Sequence, residues 1–180
     1  MKVKEFLKLW NAEDRMWFPE VVRSAEHSYE YARDVLKGKR FIVGEPAIAT
    51  DAEYSYWYAY YVLEGPFEAG EPVIAADVRW SCLYAEDIVR GPFKIGEPAI
   101  ATSALYSYRY AYHVLEGPFE AGEPAIATDG KNSYFYARDV LDGERFKMGE
   151  LAIAKSRYAR SYTKDVCNGD SSWKDELNES

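Results

Sequence analysis

The chain has 180 residues, and its 30 acidic side chains outnumber its 22 lysines and arginines, which gives a formal net charge of −8. This acidity excludes a direct reader of nucleic acid, which needs a basic surface, and it disfavours docking on an anionic membrane. Hydrophobic residues make up 48% of the chain, so a packed fold is expected, and no apolar run is long enough to span a bilayer.

The N-terminal segment, residues 1–17, has apolar side chains at the spacing of one helix face, namely Val3, Phe6, Leu7 and Trp10. We predict that it forms a capping helix. The segment is too short and too mixed in charge to resemble a signal peptide, so a cytoplasmic location is expected.

A tandem repeat organises residues 18–167. Blocks of the form Ser-Tyr-x-Tyr-Ala begin at Ser28, Ser55, Ser107 and Ser133, and a variant begins at Ser81, so the intervals are 27, 26, 26 and 26 residues. We number these repeats 1 to 5 and count positions from each block serine. Residues 18–27 match the second half of an earlier repeat, and a degenerate last repeat aligns on either Tyr158 or Tyr162.

Each repeat predicts two short helices. The proline of Gly-Glu-Pro suits the first turn of the shorter helix, and in repeat 2 the longer helix runs from about Tyr54 to Glu64. Left-handed caps are expected at the glycines that follow the longer helices, which are Gly38, Gly65, Gly91, Gly117 and Gly143. Two short helices cannot bury an apolar face alone, so neighbours must stack. The sequence therefore predicts an all-α fold, an α-solenoid of about five to six helix-turn-helix repeats, with a polar flexible tail at residues 168–180.

The string GEPAIATDAEYSYWYAYYVLEG, Gly44–Gly65, resembles the tandem two-helix repeats of bacteriophage, viral and bacterial proteins, and more distantly the Sel1-like and HEAT repeats. The resemblance covers most of the chain and carries over no catalytic residue. It implies a phage or bacterial protein of the cytoplasm with a binding role.

Positions 4, 5, 8 and 9 of each repeat fall on one stripe of the longer helix. Position 4 is always tyrosine and position 5 alanine, while positions 8 and 9 are aliphatic. We predict that this stripe is the core, with each position-4 hydroxyl reaching a partner or water, and that the tyrosines at position 2 lie on its flank.

Positions 3, 6, 7 and 10 lie on the opposite face and should meet solvent. Repeats 1, 3 and 5 carry solvated charged pairs at positions 6 and 7, which are Arg33-Asp34, Glu86-Asp87 and Arg138-Asp139. The outward residues of repeats 2 and 4 are instead Trp57, Tyr60, Tyr61 and Glu64, and Arg109, Tyr112, His113 and Glu116. Exposed aromatic clusters favour an interaction site. A wall covered by a neighbouring helix or by a homodimer partner is the alternative.

Glutamates also recur between repeats. Glu64 and Glu68 of repeat 2 correspond to Glu116 and Glu120 of repeat 4. Stacked repeats would align them, together with the Gly-Glu-Pro glutamates, as acidic ladders. The Gly-Glu-Pro glutamates are interpreted as helix N-terminal charge. The other four suggest a negative surface that imitates a polyphosphate backbone or engages a basic partner.

Several kinds of chemistry are missing from the sequence. The two histidines, His27 and His113, have no metal-ligand spacing, and there is no phosphate-binding glycine loop. Cys82 and Cys167 replace ordinary repeat residues three repeats apart, which is too far for a disulfide. We therefore predict no catalytic residue, no metal, no cofactor and no enzyme activity.

The sequence predicts a non-enzymatic protein that binds a protein partner with a basic surface, as a phage inhibitor of a host enzyme or defence complex would do by steric block or nucleic-acid mimicry. The predicted partner-binding residues are Trp57, Tyr60, Tyr61, Glu64, Glu68, Arg109, Tyr112, His113, Glu116 and Glu120. The alternative is a solenoid that stacks a nucleotide or other planar molecule in an aromatic groove, with Arg109 and His113 at its anionic part. A homo-oligomer is a further open alternative.

Overall fold

A computed structural model of the chain describes residues 21–177, which contain helices and no β-strand. The all-α class is therefore confirmed for this part of the chain, while the predicted capping helix at residues 1–17 lies outside it. The chain divides into two compact units, Met1–Val89 and Arg90–Ser180. The helix pairs predicted from the sequence recur within each unit.

The helices of the first unit are α1 Ala25–Glu30, α2 Glu45–Ile48, α3 Ala52–Tyr58, α4 Glu71–Ala76 and α5 Val78–Tyr84. The longer ones continue into π-helical turns over Tyr31–Val35, Ala59–Leu63 and Ala85–Val89. The second unit holds α6 Glu97–Ile100, α7 Ala104–Tyr110 with its π turn Ala111–Leu115, α8 Glu123–Ile126, α9 Gly130–Asp139, α10 Glu150–Ala154, α11 Ala159–Asp165 and α12 Trp173–Glu176.

Short polar side chains begin most of the longer helices. Asp51 accepts a hydrogen bond from the Tyr54 backbone N–H at 3.0 Å, and Asp129 accepts one from Asn132 at 2.8 Å. Such caps satisfy N–H groups that a helix leaves free at its first turn. The shorter helices have the proline of Gly-Glu-Pro in their first turn, as the sequence predicts.

A hydrogen-bonded relay joins the position-4 tyrosines of repeats 2 to 5, and of the last repeat, to the preceding repeat, whereas Tyr31 of repeat 1 is half-buried. The hydroxyl of Tyr58, whose side chain is fully buried, accepts from the Phe41 backbone N–H at 2.8 Å and donates to the Glu45 carboxylate at 3.0 Å. Burial, together with that carboxylate, raises the pKa of Tyr58 to about 12. The same relay recurs at Tyr84, Tyr110, Tyr136 and Tyr162. The prediction that these tyrosines are core residues with satisfied hydroxyls is confirmed.

The relay adds a second role for the Gly-Glu-Pro glutamates. They lie in the first turn of the shorter helices, as helix N-terminal charge requires, and their carboxylates also accept the tyrosine hydroxyls. Glu45 is further paired with Arg40 at 2.6 Å, and Glu150 with Arg145 at 2.7 Å. The Arg40 guanidinium is the main cause that lowers the pKa of Glu45. These acids hold repeats together and do not form an open ladder.

The block serine and the Gly-Glu-Pro glycine are fixed by close packing. Ser55 donates its hydroxyl to the Ile48 carbonyl at 2.9 Å. A Cβ placed on Gly70 would lie 2.6 Å from the Ser55 hydroxyl oxygen and 2.5 Å from the Phe67 ring. The two helices therefore approach so closely that only small residues fit at both positions. Ser28 makes the equivalent bond to Val21 at 2.7 Å, which confirms that residues before Ser28 continue the pattern.

The predicted left-handed glycine caps need correction. Among repeats 2 to 4, the left-handed residue is the one before the glycine, namely Glu64, Arg90 and Glu116, whereas Gly65, Gly91 and Gly117 do not have positive φ. Each of these glycines precedes a proline, which restricts the backbone of the residue before it. Only Gly38 and Gly143, which no proline follows, have the predicted conformation, with φ of 78° and 84°.

The predicted core stripe also needs correction. Positions 8 and 9 are half-buried in repeats 1 to 4, because the longer helix ends there in a π turn that changes its register. In repeat 5 the helix remains α-helical through Asp139, and Val140 is buried. Three of the four tyrosines at position 2, Tyr29, Tyr56 and Tyr134, are buried in the core, whereas Tyr108 is half-buried, as a flanking residue would be.

The last repeat aligns on Tyr162, which makes the relay bonds to Phe146 and Glu150. The segment after it was predicted to be a flexible tail, yet residues 168–177 include helix α12. Trp173 in this helix is buried and donates its indole N–H to the Thr163 hydroxyl at 2.9 Å. An aromatic side chain in a polar segment thus attaches the segment to α11.

Candidate interaction surfaces

On the outward face of the longer helices, some aspartates accept hydrogen bonds from tyrosines of the preceding repeat. Tyr56 at position 2 donates its hydroxyl to Asp87 at position 7 of the next repeat, at 2.6 Å. Tyr134 makes the equivalent bond to Asp165 at 2.6 Å, and Tyr108 to Asp139 at 3.2 Å. Burial and the facing carboxylate raise the pKa of Tyr108 to about 12. Two aspartates of the predicted solvated pairs, Asp87 and Asp139, are therefore structural acceptors, whereas Asp34 pairs with Arg33 of its own repeat.

Position 7 is not aspartate in repeats 2 and 4, where Tyr61 and His113 replace it. The repeat before repeat 4 carries Cys82 at position 2 and so has no tyrosine hydroxyl for an aspartate to accept. In the repeat before repeat 2, the Tyr29 hydroxyl accepts from the Arg33 guanidinium at 3.5 Å. Tyr134 accepts an equivalent bond from Arg138 at 3.2 Å and also donates to Asp165, so an arginine partner does not by itself replace the aspartate.

In the first unit we define the Trp57 surface as Trp57, Tyr60, Tyr61, Glu64 and Glu68. The Trp57 and Tyr61 rings stack, with centroids 5.5 Å apart and planes at 22°. Tyr60 meets Tyr61 edge to face at 4.8 Å. The side chains of Tyr60 and Tyr61 are 43% and 51% exposed, as predicted, whereas Trp57 is half-buried.

The half-burial of Trp57 has a structural cause that the sequence analysis missed. Trp80 of helix α5 packs its ring against Trp57 at 5.7 Å and against Tyr56 at 5.1 Å, and it is itself buried. Arg79 lies over the Trp80 ring at 4.5 Å. Trp80 occupies the position just before a block serine, which holds Tyr54 in repeat 2 and Tyr106 in repeat 4. The repeated aromatic side chain at this position is the sequence signal for this packing contact.

In the second unit we define the Tyr112 surface as Tyr112, His113, Glu116 and Glu120. Tyr112 is 45% exposed, stacks on Tyr108 at 5.9 Å, and meets the His113 ring edge to face at 4.9 Å. A pocket of about 370 Å³ opens here, lined by Tyr112, His113, Glu116, Gly117, Asp139 and Val140. The structure therefore brings three of the predicted site residues together. Arg109 is half-buried and does not line this pocket.

The four predicted surface glutamates are all exposed, but they do not belong to an uninterrupted ladder. The left-handed position that holds Glu64 and Glu116 holds Lys37 and Arg90 in repeats 1 and 3. The position after the buried phenylalanine holds Glu68 and Glu120 in repeats 2 and 4 but Lys94 in repeat 3. Repeat 5 has Asp142 at the left-handed position but Lys147 after its phenylalanine, so among repeats 2 to 5 only repeats 2 and 4 are acidic at both positions.

Residues 21–177 contain no cluster of three or more His, Cys, Asp or Glu side chains placed to hold a metal ion. Neither Cys82 nor Cys167 forms a disulfide within these residues, and burial raises the pKa of Cys167. Over the same residues, no helix combines the length and apolar character needed to cross a bilayer.

Comparison of the chain with models of protein families, with curated proteins and with solved structures finds no match.

Proposed function

We propose that the chain is a non-enzymatic acidic repeat protein that binds another protein through the Trp57 surface and the Tyr112 surface. The observation that carries this proposal is the exposure of three tyrosines whose hydroxyls have no hydrogen-bond partner among the described residues. Tyr60, Tyr61 and Tyr112 are exposed, and within residues 21–177 their hydroxyls make no hydrogen bond. Large, rigid aromatic side chains with a free polar end are common anchors of protein interfaces.

Internal comparison supports this assignment. Repeats 1 and 5 fold with Arg33-Asp34 and Arg138-Asp139 where repeats 2 and 4 have Tyr60-Tyr61 and Tyr112-His113. The fold therefore does not require aromatic side chains at these positions. Their presence in two repeats is better explained by contact with a partner than by packing.

The charge of the two surfaces supports a basic partner. Glu64 and Glu68 accompany the tyrosines of the Trp57 surface, and Glu116 and Glu120 accompany Tyr112. In the pocket beside Tyr112, the Glu116 carboxylate and the tyrosine ring offer a lysine or arginine both an ion pair and a cation–π contact. We therefore propose a partner with a basic surface. Stacking of the repeats as an α-solenoid is part of the proposal, because two-helix repeats bury their apolar faces against neighbours.

The resemblance of the repeats to phage sequences suggests the biological form of this binding. We propose a cytoplasmic inhibitor of a host enzyme or defence complex that acts by covering a basic, nucleic-acid-binding surface. Local acidic patches beside aromatic anchors suit such a target, because charge complementarity speeds association and favours the correct partner.

Two grafted variants test the proposal. Trp57→Glu/Tyr60→Arg/Tyr61→Asp gives repeat 2 the outward residues of repeat 1, and Tyr112→Arg/His113→Asp gives repeat 4 those of repeat 5. A variant with Leu105→Gln and Leu151→Gln is the matched control, because these leucines are 50% and 53% exposed apolar residues outside both surfaces.

Affinity purification from host extract with each tagged variant, followed by mass spectrometry, identifies candidates, and the purified partner is then titrated. We expect each graft to weaken binding at least about tenfold, equivalent to about 1.4 kcal/mol, and the control to leave it unchanged. Binding should also weaken as salt is raised. Equal binding by all variants with intact helical circular dichroism would rule the proposal out.

The alternative of a ligand-binding groove rests on the same pocket. The pocket is within the size range of small-molecule sites, but Glu116 and Asp139 line it, and carboxylates oppose the anionic part of a nucleotide. Thermal denaturation with millimolar nucleotides distinguishes the two proposals, because a ligand that binds only the folded state raises the melting temperature.

A further inference from the structure

A second pocket lies in the unit Arg90–Ser180, away from the residues of the Tyr112 surface in the sequence. It has a volume of about 570 Å³ and is lined by Arg160, Thr163, Lys164, Gly169, Ser171 and Lys174. Three of its six lining residues are cations and none is a carboxylate, in a chain of net charge −8. The pocket is therefore locally positive, in contrast to the chain as a whole.

Two of the cations are available to a ligand. Arg160 and Lys164 are exposed, and neither forms an ion pair or hydrogen bond within the described residues. In repeats 1 to 5, the position of Arg160 is held by tyrosine or cysteine. The guanidinium is therefore a departure from the repeat pattern, placed beside a lysine one helical turn away.

Three nearby carboxylates accept hydrogen bonds from groups outside the pocket cations. Asp165 accepts the Tyr134 hydroxyl, and Asp170 accepts the backbone N–H and the hydroxyl of Ser172 at 2.9 and 2.8 Å. Glu176 accepts two hydrogen bonds from Arg145, at 2.8 and 2.9 Å. Each of these three carboxylates thus has a hydrogen-bond donor other than Arg160 and Lys164.

The far wall of the pocket is held in place before any ligand arrives. The Trp173–Thr163 hydrogen bond and the Arg145–Glu176 ion pair attach helix α12 to the rest of the unit. Between them, the Gly169 N–H donates to the Thr163 carbonyl at 2.8 Å, which fixes the turn that carries Ser171. Lys174 lies in this helix, with its ammonium 5.4 Å from the centre of the Trp173 ring, so little ordering of the helix is required on binding.

We propose that this pocket binds a phosphate group of a small molecule. A guanidinium forms paired hydrogen bonds with phosphate oxygens, lysines add charge, and the Ser171 hydroxyl supplies a further donor. The proposal is independent of the protein-binding surfaces, since it uses none of their residues.

The test is a titration of the isotopically labelled full chain with inorganic phosphate, at constant pH and ionic strength, followed by two-dimensional 1H–15N NMR. The Trp173 indole N–H and the Gly169 and Ser171 amides are the reporters, because they belong to the pocket wall or its support. The variant Arg160→Gln/Lys164→Gln removes two unpaired cations. Lys131→Gln/Lys155→Gln removes two other exposed lysines of the same unit and is the charge-matched control.

We expect saturable shifts centred on the three reporters, at least about tenfold weaker binding in Arg160→Gln/Lys164→Gln, and unchanged binding in the control. Shifts that do not saturate, that spread evenly over the surface, or that weaken equally in both variants would overturn the proposal. Retained shift dispersion in each variant shows that the result does not come from unfolding.

Discussion

The inward and outward faces of the same longer helices differ in how much their residues vary from repeat to repeat. On the inward face, the serine–glycine contact and the tyrosine–glutamate relay recur with little change from repeat to repeat. On the outward face, positions 6 and 7 alternate between a charged pair and aromatic side chains. The first face consists of residues whose partners are inside the chain, and the second contains tyrosines whose hydroxyls have none within residues 21–177.

The difference teaches that a high tyrosine count is not by itself a binding signal. Most tyrosines at positions 2 and 4 are buried donors or acceptors that connect neighbouring repeats. Only those at positions 6 and 7 expose both ring and hydroxyl. A mutation on the inward face should therefore change stability, and a mutation on the outward face should change binding.

The largest expected effect comes from the inward helix contact. A Cβ on Gly122 would lie 2.6 Å from both the Cβ and the hydroxyl oxygen of Ser107, and 2.5 Å from the Phe119 ring. Because the neighbouring helix must move, Gly122→Ala should lower the free energy of unfolding by about 3 kcal/mol, measured by urea denaturation followed by circular dichroism.

Gly117→Ala is the control for that substitution. Its added Cβ would meet nothing nearer than the Leu115 carbonyl oxygen at 3.8 Å, and Gly117 does not have positive φ. We expect a change within about 0.5 kcal/mol. Equal losses in the two variants would show that the close contact does not set the helix spacing.

The second effect comes from the relay. Tyr136→Phe leaves the buried Phe119 N–H without its acceptor at 3.0 Å and deprives Glu123 of a donor at 2.8 Å. We expect a loss of about 2 kcal/mol, because an unsatisfied buried polar group retains its desolvation cost. The same urea experiment measures it.

Tyr112→Phe removes a hydroxyl from the outward face of the same unit, where it has no partner among the described residues. Its cost should be within about 0.5 kcal/mol. A Tyr112→Phe variant as unstable as Tyr136→Phe would contradict the division between the two faces.

Much of the inward face could be predicted, because repetition identifies it. The helix pairs, the buried tyrosines and the proline in the first turn follow from periodicity and local backbone preferences. The tyrosine–glutamate relay could not be predicted, since the two residues are 13 positions apart and their contact depends on how successive helices pack. Nor does the pattern indicate that the glycine of Gly-Glu-Pro allows close contact with a serine.

The outward face was predicted less well, for a physical reason. Helical periodicity places Trp57 on the solvent side, but it does not show that Trp80 from the next helix packs over part of the ring. Likewise, an aspartate beside an arginine indicates a solvated pair, although Asp139 also accepts the Tyr108 hydroxyl from another repeat. Exposure at such positions is decided by neighbours that are distant in sequence.

The smallest effect should have the opposite sign. Glu116 has a left-handed backbone, with φ of 48° and ψ of 39°, a conformation that asparagine tolerates better than glutamate. Glu116→Asn should therefore raise the free energy of unfolding by about 0.5 kcal/mol, whereas Glu120→Asn, at a residue without positive φ, should not. If the Tyr112 surface binds a basic partner, both variants should weaken that binding, because each removes a carboxylate from it. A variant that is more stable and yet binds less well would show that Glu116 is present for its charge rather than for the fold. Unchanged affinity in both variants would remove the glutamates from the proposed surface and leave only its aromatic side chains.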